Sequence, residues 1–214
     1  MNIFNLEGGV MRTLSKFTDC IFISLMFLLC CLPVVTAGTA AVSMYYTVYK
    51  VVRHDRGYIF REYVSAFRDN LKQTVPVWLL VLAIGAMFGA DLYVVARFTV
   101  EGSPLRMLSG VFFAGLTILA AWASYLFPYM ARFENTRKHS MKNAAIMAIV
   151  HLPTTIFVLM LTVASALLIY ITPPVILLLP AVCVWIQSFL LERVFRKYMS
   201  EEDKALEEAR DRER

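Results

Sequence analysis

The sequence contains few charged residues. Of its 214 residues only 17% are Asp, Glu, Lys or Arg, whereas 59% are hydrophobic, and the mean hydropathy is +0.63. A soluble domain usually carries about 25% charged residues, and a soluble core of this size does not need so much apolar surface. The composition therefore excludes an ordinary soluble domain and predicts a polytopic membrane protein.

The sequence also lacks the motifs of common catalytic and metal sites. It contains no HExxH, no GxSxG, no phosphate-binding glycine-rich loop and no CxxC. The four cysteines lie inside apolar runs, which is typical of small apolar filler in membrane helices. The three histidines have no metal-ligand spacing. We therefore expect a protein that is not an enzyme and that uses no cofactor or metal ion.

Five apolar stretches are long enough to cross a hydrocarbon core of roughly 30 Å, which takes about 20 helical residues. They lack the alternation of barrel strands, so we expect helices. They cover approximately residues 20–40, 75–96, 107–129, 152–171 and 174–191. The sequence thus predicts an all-α integral membrane protein, a bundle of about five transmembrane helices in one domain (1–198). A charged cytoplasmic tail (199–214) follows.

The basic residues are distributed unevenly between the links. Most of the 21 lie in residues 50–72, 131–143 and 192–214, whereas the link between the second and third spans holds only Arg97 and Arg106. The positive-inside rule places the three basic segments in the cytoplasm. With five spans, the C-terminus of this plasma-membrane protein is cytoplasmic and the N-terminus outside. Topology then accounts for the basic charge, so we expect contact with bilayer lipids and no nucleic-acid binding.

Two cytoplasmic links have helical periodicity. In residues 58–73 and 141–153, apolar residues recur near a period of 3.6, and each segment leads through a proline, Pro76 or Pro153, into a span. This pattern predicts amphipathic helices at the membrane interface. The shared order would also fit a parallel internal repeat, although the two copies have little sequence identity.

Two ionisable residues lie within or beside the predicted spans. Asp91 is inside the second run, where a charge is costly and suggests function. Alternatively, it reaches water or pairs with Arg97. His151 precedes Pro153 by two residues. It has either a substrate or proton role, or it caps backbone groups that the proline leaves without partners.

Small residues recur at helical spacing in the second and third spans. Gly85 and Gly89 form a GxxxG motif, and Gly110 and Ala114 repeat the spacing. Such pairs let helices approach closely. The contact is either within one bundle or between the copies of a homodimer.

Four segments carry a resemblance to a known family: LPVVTAGTAAVSMYYTVYKVVR (32–53), FREYVSAFRDNLKQ (60–73), YLFPYMARFEN (125–135) and KNAAIMAIVHLP (142–153). With these segments, nearly the whole chain resembles the YesL-like family of small bacterial membrane proteins, whose function is unknown. The resemblance implies a multi-pass protein of this length without established activity or cofactor. Its motifs contain the candidate residues Asn70, Lys72, Gln73, Pro128 and Arg132.

Members of that family often lie beside genes for carbohydrate uptake transporters and polysaccharide-degrading enzymes, which implies a role near oligosaccharide import. Our first hypothesis is therefore an accessory or regulatory partner of a carbohydrate ABC transporter, with the cytoplasmic links as its contact surface. The alternative is a small transporter whose site lies at helices broken at Pro33, Pro76 and Pro153. An intramembrane enzyme is the third hypothesis, and no acid/base pair at one depth supports it.

Residues 20–49 carry no charged side chain. As one straight helix they would be about 45 Å long, more than a single crossing needs. We expect one span kinked at Pro33 that continues as an interfacial helix. The alternative is a hairpin of two half-spans, which would move the N-terminus inside. In either case the break from Pro33 to Gly38 is a candidate functional irregularity.

The small residues after Pro33 also look like a signal-peptide cleavage site. We nevertheless expect the segment to be retained, because four more spans follow and the resemblance crosses the cleavage point. Intact-mass measurement of the purified protein should find the first span still attached. A mature start between Gly38 and Ala41 would contradict this expectation.

Overall fold

The computed structural model describes the backbone of residues 3–98 and 107–199, with side chains from residue 14 onward. In these ranges all regular structure is helical. The helices are α1 (Ile3–Cys31), α2 (Ala37–Thr47), α3 (Ile59–Phe98), α4 (Leu108–Arg132), α5 (Arg137–Val150), α6 (Leu152–Ile171) and α7 (Leu179–Phe195). Apart from Met199, the predicted tail lies outside the described residues.

Four of the described helices are long and apolar enough to cross a membrane: α1 from Leu14, α3, α4 and α6. Helix α7, at the predicted fifth span, has 17 residues and follows a short 3-10 turn, Pro173–Leu177. The predicted fold class, an all-α membrane-protein bundle, is confirmed. Helix α6 has the bounds predicted for the fourth span.

The chain reverses direction between α1 and α2. Pro33 has an extended backbone (φ −79°, ψ 111°), and Val34–Thr36 form one 3-10 turn. The Thr36 hydroxyl lies 2.7 Å from the Cys30 carbonyl oxygen and 2.8 Å from that of Pro33. A salt bridge of 3.5 Å joins Lys16 to Asp55, so the two arms run side by side in opposite directions.

The prediction of one kinked span over residues 20–40 is therefore wrong. The two arms form a hairpin, but its first arm is the long helix α1 and not a half-span. The reason lies at the break. Proline has no N–H to continue the α1 ladder and disfavours helical backbone at the preceding residue. The Thr36 hydroxyl then bonds to the Cys30 carbonyl near the end of α1.

Helix α2 is the buried centre of the bundle. It packs against α1, α3, α4 and α7. Three hydroxyl residues follow one another at four-residue spacing, and Ser43 and Thr47 each donate to the carbonyl one turn earlier at 2.8 Å. These bonds satisfy hydroxyl groups that would otherwise be costly to bury. The second arm is thus a core helix and not the expected interfacial one.

The approach of α2 to α3 is close at Gly38. A Cβ atom added there would lie 2.5 Å from the Cβ of Trp78. The Trp78 indole N–H also donates to the carbonyl of Val34 at 2.7 Å, so it binds the turn between the hairpin arms. The predicted irregularity from Pro33 to Gly38 consequently packs against α3 and holds the turn between α1 and α2 in place.

A tight turn connects the hairpin to α3. Helix α2 continues into a π-helical segment, Val48–Arg53. The turn then uses positive φ at Asp55 (51°) and Gly57 (82°). Beyond it, Lys50 Nζ lies 2.6 Å from Glu62 Oε2. Burial opposes the charge on Lys50, but hydrogen bonds to Glu62 and Tyr46 outweigh it and raise the pKa of Lys50 above its ordinary value.

Helix α3 is continuous over 40 residues, which is about 60 Å of helix. The predicted amphipathic helix at 58–73 is therefore present but is not a separate helix, and the break at Pro76 that the transporter alternative assumed is not formed. A proline inside a helix removes one hydrogen bond. Here the buried neighbours Thr74 and Val77 keep the helix packed on both sides of Pro76. The amphipathic segment is the first half of a single long helix.

Helix α5 packs on α4, where the Trp122 indole donates to the Met141 carbonyl at 3.0 Å. The helical conformation is interrupted at His151, and α6 then begins with Pro153 in its first turn. The Thr155 hydroxyl lies 2.8 Å from the Ala148 carbonyl oxygen and 3.0 Å from that of His151. The predicted cap of these loosened groups is thus Thr155 and not the histidine side chain.

The predicted small-residue contacts differ from those observed. A Cβ atom added at Gly89 or Gly110 would meet nothing within 4 Å, and one at Gly85 would make an ordinary contact with Leu119. The close contact is at Gly115, where an added Cβ atom would lie 3.0 Å from the ring of Phe88. The α3–α4 approach therefore depends on the residue after Ala114 and not on the GxxxG pair.

We expect Gly38→Ala to lower the free energy of unfolding by about 1–3 kcal/mol, because the new methyl group overlaps Trp78 and must push α2 from α3. Gly89→Ala is the matched control, since it adds the same methyl group in open space. Thermal unfolding in detergent measures both. Equal melting temperatures for the two variants would contradict the close approach.

Candidate functional site

A polar cleft opens between the first half of α3, the end of α4 and the α4–α5 link. Its volume is about 860 Å³. It brings together four predicted candidates, namely Asn70, Lys72, Gln73 and Arg132. The other lining residues are Tyr46, Ser65, Ala66, Asp69, Met130, Ala131, Phe133, Glu134, Asn135, Thr136 and Arg137. We call this feature the polar cleft.

The α3 wall of the cleft is tied to the opposite side. The Gln73 amide donates to the Asn135 carbonyl at 2.6 Å, and this bond connects α3 to the link after α4. One turn earlier on α3, Asn70 donates to the carbonyl of Ala66 at 2.9 Å. Gln73 is therefore a clamp across the cleft, whereas Lys72 extends from an exposed position beside it.

The hydroxyl of Tyr129 holds the α4–α5 link in place. This oxygen accepts hydrogen bonds from Asn135 at 2.9 Å and from Asn143 at 2.8 Å. Tyr129 follows Pro128, which is buried inside α4 one turn before Arg132. Pro128 is thus part of the support of the cleft and not of its polar surface. Two asparagines and one tyrosine fix the path of the chain from α4 into α5.

A buried ion pair lies beneath the cleft. Arg132 Nε is 2.8 Å from Glu192 Oε1, and the side chains are only 14% and 2% exposed. The hydroxyl of Tyr45 donates to the same carboxylate oxygen at 3.1 Å. The guanidinium carbon of Arg132 is 4.0 Å from the centre of the Tyr49 ring, a cation–π contact. We call this group the Arg132–Glu192 pair.

The pair joins three elements that are distant in sequence. Arg132 ends α4, Glu192 lies on α7, and Tyr45 comes from the central helix α2. Arg53 adds a further connection, since it donates to the Ser188 carbonyl at 2.9 Å and stacks on Phe189 at 4.6 Å. Two arginines thus hold the end of the hairpin against α7.

Sequence reasoning identified Arg132 but missed Glu192 and Tyr45. The predicted fifth span ends at residue 191, one position before the acid, so Glu192 falls in the basic segment 192–214 that is expected in the cytoplasm. The available signal was an acidic residue directly after an apolar run. Opposite charges at two helix ends become partners only when the fold brings α4 and α7 together.

Other predicted residues do not line the cleft. Asp91 is half-buried near the end of α3 and, within the described residues, makes no hydrogen bond or ion pair, so the predicted pairing with Arg97 is not formed. His151 lies 3.2 Å from the Tyr198 hydroxyl. Burial and then the charge of Lys197 lower the pKa of His151, which favours its neutral form. Pro33 lies at the reversal between α1 and α2, Gly38 in the first turn of α2, and Pro153 in the first turn of α6.

In the part of the chain that the structure describes, no group of three or more His, Cys, Asp or Glu side chains could hold a metal ion. The cleft offers amides, hydroxyls and charges of both signs instead. This chemistry suits reversible binding through hydrogen bonds and ion pairs.

The fold and the site define an all-α membrane-protein bundle that supports a polar cleft on a buried ion pair. A family model described as "Protein of unknown function, DUF624" matches residues 20–92. The matched segment contains the second half of α1, the reversal, α2, the π-helical segment and most of α3. No curated protein and no solved structure shows significant similarity to the chain.

We expect Arg132→Leu and Glu192→Leu each to destabilise the protein by about 3–5 kcal/mol, because each leaves a buried charge without its counterion. The double variant should lose less than the sum, since it leaves neither charge behind. Unfolding free energies in mixed detergent micelles measure the cycle. Additive losses, or single variants that cost under about 1 kcal/mol, would show that the pair is not coupled.

Proposed function

We propose that the protein is an accessory or regulatory partner of another protein in the plasma membrane and that it has no catalytic activity. We propose further that the polar cleft holds a polypeptide segment of this partner. The observation that carries this proposal is the construction of the cleft. Gln73 and Asn135 clamp its two sides, and the Arg132–Glu192 pair fixes its base. A preorganised surface of this kind binds without a large ordering cost.

The lining of the cleft suits a polypeptide better than a single small anion. Lys72 and Arg137 are balanced by Asp69 and Glu134. Asn70, Asn135 and Thr136 add amide and hydroxyl groups that can bond to peptide backbone. A volume of 860 Å³ lies near the upper limit of ordinary small-molecule pockets, and the cleft is open along the surface.

The orientation of the protein follows from the hairpin. We propose that both ends of the chain are cytoplasmic, because α1 and α2 add two passes where the sequence predicted one. This arrangement replaces the expected external N-terminus and leaves the basic segments inside. The polar cleft then faces the cytoplasm. Fluorescence of an N-terminal GFP fusion, which matures only inside the cell, would support the arrangement, and a non-fluorescent fusion would oppose it.

The identity of the partner rests on the resemblance to the YesL-like family. Members of that family often lie beside genes for carbohydrate uptake, and we propose that the partner is a component of a carbohydrate ABC transporter. The family model matched at residues 20–92 describes a family of unknown function and adds no partner of its own.

Co-purification in mild detergent tests this function. We expect a transporter component to follow the wild-type protein and its recovery to fall several-fold in the double variant Lys72→Glu/Glu134→Lys, which rearranges the charges of the cleft. Arg61→Glu is the control, because it reverses an exposed charge on the same helix outside the cleft.

Equal recovery with all three proteins would remove the cleft from the contact surface. If no transporter component follows the wild-type protein in cross-linked membranes either, the accessory role itself is wrong. The variants change exposed side chains, so gel filtration should show that they fold like the wild type.

A small transporter is a second candidate, and one observation favours it. The π-helical segment Val48–Arg53 begins three residues after Tyr45, which bonds to Glu192. π-Helices often occur at functional sites. Uptake of oligosaccharides by reconstituted vesicles would support this function. Its absence from correctly oriented vesicles would exclude it.

A further inference from the structure

An apolar groove of about 460 Å³ lies between α3, α4, α5 and α6. Its lining includes Phe88, Gly115, Ala145 and Ile149. Its two side chains with strong donors are Trp122 and Thr155, and both already bond to backbone carbonyls, those of Met141 and Ala148. The groove therefore favours a ligand segment without polar groups.

The outer face of α5 changes character along its length. Lys138, Lys142, Ala145 and Ile149 follow one another at spacings of four, three and four residues, so they share one face of the helix. The first two are exposed cations, whereas Ala145 and Ile149 line the groove. Lys142 directly follows Met141, whose carbonyl holds the indole of Trp122 at the groove wall.

This arrangement places positive charge at one end of an apolar groove. The rise of an α-helix separates Lys142 from Ile149 by about 10 Å along the axis. An occupant that uses both features carries a negative group joined to a long apolar chain. Free anions would leave the groove unfilled, and neutral lipids would leave the lysines without a counterion.

We propose that α4 and α5 form a binding site for one anionic phospholipid, with its phosphate headgroup at Lys138 and Lys142 and one acyl chain in the groove. The site is distinct from the polar cleft and does not depend on the proposed partner. Two lysines near one headgroup add to the apolar burial of the chain. The bound lipid would fill the space between α3 and α6. It would also stabilise the interruption between α5 and α6 at His151.

Native mass spectrometry of the full-length, delipidated protein in detergent tests the site. Dioleoylphosphatidylglycerol and dioleoylphosphatidylcholine are the probes, because they share acyl chains and differ in charge. We expect the wild type to retain one phosphatidylglycerol at concentrations at which phosphatidylcholine is lost. The double variant Lys138→Gln/Lys142→Gln should weaken this binding roughly tenfold.

Two further variants separate the headgroup from the acyl chain. Ala145→Phe fills the groove and should also weaken the binding of phosphatidylglycerol, whereas Arg61→Gln/Arg68→Gln removes two exposed cations of α3 and should not. Equal retention of the two lipids, an equal loss with the α3 control, or full binding to Ala145→Phe would each overturn the proposal. Gel filtration and melting curves check that every variant is folded.

Discussion

The burial of α2 on every side is the constraint on which the rest of the structure depends. At the centre of the bundle, the backbone of α2 comes close to a neighbouring helix, and two of its buried hydroxyl groups find partners within the helix. Gly38 permits the contact with Trp78, and Ser43 and Thr47 bond to the preceding turn. The reversal at Pro33 is required for the same reason, because it returns the chain from α1 into the core.

The charged groups follow from this central position. Tyr49 of the buried arm contacts Arg132 from α4, and Arg132 pairs with Glu192 from α7. Tyr45 donates to the same carboxylate of Glu192. An arginine so little exposed must have a counterion, since burying an isolated charge is costly. The ion pair in turn fixes the end of α4, from which the link to α5 begins. The polar cleft is therefore shaped by an interaction beneath its surface.

Helices α4 and α5 are common to the two proposed sites. Their connecting link forms one side of the polar cleft, and their packed faces form the apolar groove. A lipid bound between them would stabilise the position of the link, because the same two helices support it. Binding of a cytoplasmic segment and the composition of the surrounding bilayer would then be coupled through the α4–α5 contact, in the sense of two ligands that share one packed element.

The lengths of the apolar stretches were enough to predict the transmembrane helices, because any backbone within a membrane must satisfy its own hydrogen bonds. The helical bounds of α6 and the class of fold were therefore predictable, and the resemblance motifs already held the cleft residues Asn70, Gln73 and Arg132. The sequence could not predict whether Pro33 bends a helix or whether Pro76 breaks one. Both prolines lose one hydrogen bond, but only Pro33 has a hydroxyl at Thr36 that ends the helix, whereas packing around Thr74 and Val77 carries α3 through Pro76. Likewise only the tertiary structure paired Arg132 with Glu192, since their attraction depends on distance in space and not along the chain.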